Sequence, residues 1–176
     1  MVILRSHLAT RAALLVMLLT LAGCTGTSPA GSRGLAANSL VGAWRSKLQF
    51  SSGPFAAMKD LEFMYVFNTG GTMTESSNYD GAPPVPPAYG VWREVAPRQF
   101  EAKYLFYITK APARWEEITS GGGWPPAGHG RFTERIQLAE NGQSFESTIT
   151  YEAFDSAGAP AAGSGEARGR AMRIGF

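Results

Sequence analysis

From residue 40 to the end of this 176-residue chain, apolar and polar residues alternate in short runs punctuated by Gly, Pro, Asn and Asp, and no run sustains helical periodicity over three turns. A period of two puts successive side chains on opposite faces, which suits a strand with one face in a core and the other in water. In residues 41–50, Gly42, Trp44, Ser46, Leu48 and Phe50 share a face. Residues 61–67 set Leu61, Phe63, Tyr65 and Phe67 against Glu62, Met64 and Val66. Further strands are predicted over 72–78, 88–95, 99–109, 131–138, 144–154 and 166–174. The turns Asn68-Thr69-Gly70-Gly71 and Asn141-Gly142 join two of the hairpins. Residues 81–87, rich in Pro, cannot pair in a central strand. The best helical candidate, residues 113–119, is at most a short cap.

Eight strands joined mostly by short turns predict an all-β domain over residues 40–176, an eight-stranded antiparallel up-and-down barrel. Closure removes both exposed sheet edges. A β-sandwich is the alternative, but nearly all sequence neighbours look able to pair as hairpins, with little sign of Greek-key crossovers.

The N-terminus is of a different kind. Arg5 and Arg11 precede or open an apolar run over 12–22 that only Thr20 interrupts, too short for a bilayer span of about 20 residues. This is the pattern of an export signal, residues 1–23. Leu21-Ala22-Gly23-Cys24 resembles the lipobox of bacterial lipoproteins. That resemblance implies a lipid on Cys24, cleavage before it, and a membrane partner reached through the lipid. Cys24 is the only cysteine, and residues 24–39 are small and polar, as a flexible tether would be. The expected location is the cell membrane or outer membrane, outside the cytoplasm; because residue 25 is Thr and not Asp, the resemblance leans toward the outer membrane where there is one. Removing Arg5 and Arg11 also takes the formal charge from +2 to 14 − 14 = 0, so a basic nucleic-acid footprint is not expected.

Gly42-Ala43-Trp44, at the head of the first strand, resembles the G-x-W signature of lipocalins and other calycin barrels. The resemblance implies a Trp across the closed end of the barrel with an Arg from the last strand against its ring. Arg168, Arg170 and Arg173 are the candidates, and Arg173 is preferred. Gly90-Val91-Trp92 is a second copy that hints at an internal repeat. The family's long helix near the last strand has no counterpart here.

Catalytic constellations are sparse. Once His7 leaves with the signal, His129 is the only imidazole, in what reads as a flexible loop over 110–130, and no nucleophile-elbow motif is present. No metal site of several His or Cys ligands can be built, no cofactor is implied, and no catalytic residue is assigned. Glu134 falls on the apolar face between Phe132 and Ile136; inward, it would have a raised pKa unless an Arg or Tyr partners it or a register slip turns it out. Phe63, Tyr65, Tyr104, Phe106, Tyr151 and Glu134 are the candidate lining of a cavity for a small hydrophobic ligand, with Trp115 and Trp124 on the long loop as a lid. Two other readings compete. One is a structural or interaction module with a filled core, whose exterior Tyr107, Phe154 and Met64 meet a partner. The other is a barrel isomerase or hydratase using Glu134 or a Tyr. The address is testable first: Cys24→Ser should give an unprocessed or released protein, and normal incorporation of labelled acyl chains into that variant would refute the lipidation.

Overall fold

In the computed structural model, residues 39–79, 87–114, 116–117 and 123–175 are described. They form eight strands: β1 (Gly42–Phe50), β2 (Glu62–Phe67), β3 (Thr72–Ser77), β4 (Ala88–Ala96), β5 (Gln99–Thr109), β6 (Pro126–Leu138), β7 (Ser144–Phe154) and β8 (Pro160–Arg173). Each pairs antiparallel with the next, and β1 pairs with β8 in the register Trp44↔Arg173 to Phe50↔Ala167, so the sheet is a closed barrel and not a sandwich. The alternating burial of β1, β2 and β7 follows the alternation of their sequences. Among the described residues only Glu116 and Glu117 are helical.

Two boundaries differ from the sequence expectation by more than one residue. β6 starts at Pro126, five residues before 131, and β8 at Pro160, six before 166. In both cases Pro opens the strand, where its missing N–H costs no ladder bond. The added residues are mostly Ala, Gly and Ser, so they carry no hydrophobic alternation to read. Backbone pairing places them, as in Tyr107↔His129 and Ala153↔Ala161. His129 is therefore a strand residue and not a loop residue, stacked on Phe154 with ring centroids 4.8 Å apart.

One end of the barrel is closed by Trp44, which is fully buried and donates its indole N–H to the Leu40 carbonyl at 2.9 Å. The Arg173 guanidinium lies 4.2 Å from the centre of the Trp44 ring. It also donates to the carbonyls of Ser39, Val41 and Gly142 at 2.7, 2.7 and 2.8 Å. One cation thus ties the chain entering β1, the β6–β7 turn and the end of β8 to a single ring. Gly42 makes room for it: its φ is +134°, and a Cβ there would lie 2.7 Å from Arg173 Nη1. Arg168 and Arg170 point outward, on the opposite face of β8. The second Trp, Trp92, packs against Phe67 and Phe100 near the same end and donates to the carbonyls of Asn68 and Thr72. It closes the β2–β3 turn, a role unlike that of Trp44, so the two G-x-W copies are not equivalent.

Arg173→Ala removes the cation–π contact and three charge-assisted hydrogen bonds, and should lower the unfolding free energy by about 3 kcal/mol. Arg173→Lys should restore only part, because the planar fork is lost. Urea denaturation of the two variants checks both expectations.

Candidate functional site

Closing eight strands leaves an interior just wide enough to be filled by side chains. In this barrel large rings do most of the filling. Phe63 on β2 and Phe132 on β6 come from strands four places apart in the ring of eight, yet their rings are 5.5 Å apart. Tyr65 on β2 reaches Tyr104 on β5 at 6.1 Å and Phe145 on β7 at 6.2 Å. Phe132 also meets Tyr104, Phe106 and Tyr151 at 5.2 to 5.3 Å. Such spacings are ordinary aromatic contact distances, so these rings touch across the lumen. Small inward residues on β8, namely Gly165, Ala167, Gly169 and Ala171, give the space that the rings occupy.

The mouth opposite Trp44 is covered by a segment that the sequence did not single out. Phe55, between β1 and β2, lies 5.0 Å from Tyr151, 5.2 Å from Phe50 and 6.5 Å from Phe132. Its loop is held to β8 by Ser51 N–H donating to the Glu166 carbonyl and by the Glu166 N–H donating to Ser52 Oγ. The available signal was one aromatic beside a Gly-Pro turn. Of the two Trp expected as a lid, Trp124 is half-buried just ahead of β6, and Trp115 lies outside the described residues.

Beneath the rings sits a polar cluster. Glu134 is fully buried, at 0% exposure, and no Arg faces it as an ion-pair partner among the described residues. Tyr104 donates its hydroxyl to Glu134 Oε2 at 3.0 Å. Burial pushes the Glu134 carboxyl up to about 7, against the pull of the hydroxyls of Ser147, Tyr104 and Tyr65, which favour the charged form. Of these only Tyr104 has hydrogen-bond geometry; Glu134 Oε1, Tyr65 OH, Ser147 Oγ and Ser46 Oγ make no hydrogen bond among the described residues. Burial, and then the Glu134 charge, raise the Tyr65 and Tyr104 hydroxyls well above the usual phenol range. Glu75, also buried, pairs with Tyr65 across β2 and β3. Gly169 leaves room for two of the hydroxyls, since a Cβ there would lie 2.6 Å from Ser147 Oγ and 3.2 Å from Ser46 Oγ.

Of the cavity candidates, Phe63, Tyr65, Tyr104, Tyr151 and Glu134 are buried inside the barrel and Phe106 is partly buried against its core. They converge, but on one another. Ser46 and Ser147 were missed as members of the cluster, although each has the parity of a buried neighbour, Trp44 and Phe145 respectively. On the outside, a concavity of about 860 Å³ runs across β5, β6, β7, β8 and β1; Lys47, Lys59, Arg135, Arg168 and Arg170 line it, with Glu101 and Glu146 as its acids. Comparison with protein-family models and with curated proteins finds no match for this chain.

A carboxyl at about 7 in the folded chain and 4.5 when unfolded makes the folded state the better proton binder between those values. Stability is therefore highest below about pH 4.5 on this account and falls as pH rises through about 7, by a total on the order of 3 kcal/mol. Glu134→Gln should flatten this slope relative to the parent in unfolding curves taken from pH 4.5 to 8. An unchanged slope would assign the pH dependence to other groups.

Proposed function

We propose that this chain is a lipid-anchored envelope protein whose barrel is a packed interaction domain, with recognition on its outer surface and not in its lumen. The contact between Phe63 and Phe132 across the barrel carries the reading, because rings that meet from opposite walls leave no continuous channel for an apolar cargo. The outer face of β4 and β5 supports it from the other side. Tyr89, Val91, Leu105 and Tyr107 are all exposed there, Tyr107 at 68%, and Tyr89 stands directly opposite Leu105. Tyr is enriched at the centres of protein interfaces, where an apolar ring and one polar handle serve both packing and hydrogen bonding. Of the other exterior candidates, Met64 is exposed on β2, while Phe154 is held between His129 and Arg131.

Carriage of a small ligand is the second reading. The unpartnered hydroxyls of Tyr65, Ser46 and Ser147 favour it, since buried polar groups usually find a partner in protein or in bound molecules. Entry would require Phe55 and the rings below it to move. A barrel isomerase acting through Glu134 faces the same obstacle, and its carboxyl already accepts a hydrogen bond from Tyr104.

Native mass spectrometry of the tag-free protein should find no stoichiometric small molecule, and a lipid library should leave the melting temperature unchanged. A co-purifying apolar molecule, released when Phe55→Ala loosens the mouth, would replace the interaction reading with the carrier.

A further inference from the structure

Strand pairing sorts the outer surface of β2, β1 and β8 into rows that run across the strands. Val66 lies opposite Ala43, whose carbonyl accepts from Ile174 N–H; Met64 and Met172 lie opposite Arg45 from either side. The four apolar members of these two rows are exposed, Val66 at 43%, Ile174 at 51%, Met64 at 56% and Met172 at 58%. The next row reads Glu62, Lys47, Arg170 and Glu146, and the one after it sets Gln49 opposite Arg168. Arg45 and Arg170 are paired, with Glu62 at 2.6 Å and Glu146 at 2.7 Å. Lys47 on β1 and Arg168 on β8 form no ion pair among the described residues.

We propose that this face rests on a bilayer of anionic phospholipids, its apolar rows at the level of the headgroups and its cations on the lipid phosphates. Apolar side chains flanked by unpaired Lys and Arg are the composition of surfaces that lie in a membrane interface. The place where the chain enters the barrel agrees. The carbonyls of Ser39 and Val41, held by Arg173, lie at the Val66, Ala43 and Ile174 end of the face. Residues 24 to 39 make a leash of 15 steps, at most about 50 Å long, which allows the face to lie flat. The inference rests on the reading that Cys24 carries a lipid, and it adds a second, electrostatic contact to that anchor.

The test uses the full chain reconstituted in nanodiscs, with a fluorophore on Val66→Cys or, facing away on β5, on Lys103→Cys, and spin-labelled lipid as quencher. Quenching should be strong at 66 and weak at 103 when the lipid contains phosphatidylglycerol. The difference should vanish in pure phosphatidylcholine or at high salt. Lys47→Gln with Arg168→Gln should lower the ratio of docked to free barrel about 30-fold. Equal quenching at the two positions, or quenching at 66 that ignores lipid charge, overturns the inference. The unsubstituted chain keeps the anchor separate: its single cysteine takes up the fluorophore only if it bears no lipid. An unlabelled parent with equal quenching therefore refutes the docked face alone, and a labelled parent refutes the anchor alone.

Discussion

The ladder between β1 and β8 is the constraint from which the rest follows. Without it the chain is an eight-stranded meander with two open edges; with it, every inward side chain is committed to one lumen. Arg173 on Trp44 fastens that seam at its end, and it does so through three backbone carbonyls, two from the segment entering β1 and one from the β6–β7 turn. Closure also fixes the circumference. The volume left inside then has to be met by the side chains, and here Phe, Tyr and Trp meet it while β8 contributes Gly and Ala.

The polar cluster is the departure from this packing. A buried carboxyl and several unsatisfied hydroxyls are costly in an apolar interior. Raising the carboxyl toward neutrality lessens that cost by letting Glu134 hold a proton, and the hydroxyl of Tyr104 supplies one hydrogen bond. The cluster and the ring-filled lumen act together to specify the register. A slip of one residue in β6 would expose Phe132, Ile136 and Leu138 and bury Arg131, Arg135 and Gln137.

Much of the fold was legible because alternation and burial coincide. β5 and β7 have the boundaries expected from sequence, since Phe100, Tyr104, Phe145, Ile149 and Tyr151 mark one face without interruption. The starts of β6 and β8 were not legible, because residues such as Gly128, Ala161 and Gly163 have no hydrophobic contrast and are placed by hydrogen bonding alone. The inward direction of Glu134 could be read from its neighbours Phe132 and Ile136. Its hydrogen-bond donor could not: Tyr104 belongs to another strand, and its reach to the carboxyl depends on how β5 and β6 register. Sequence parity likewise named the ring-bearing positions but not their meeting across the lumen, which is set by barrel diameter and not by any local pattern. Phe55 escaped for the same reason, as a loop residue whose role exists only once the mouth has formed.

The seam also has a consequence for the order of events in the life of the chain. β1 finds its second neighbour only in β8, whose fourteen residues lie at the far end of the sequence. Until that stretch has been synthesised, β1 keeps a bare edge and Trp44 lacks the cation that fastens it. The contact that closes the barrel joins regions more than a hundred residues apart, and pairings so distant in sequence form slowly. The barrel therefore becomes a closed object only when its first and last strands are both in place.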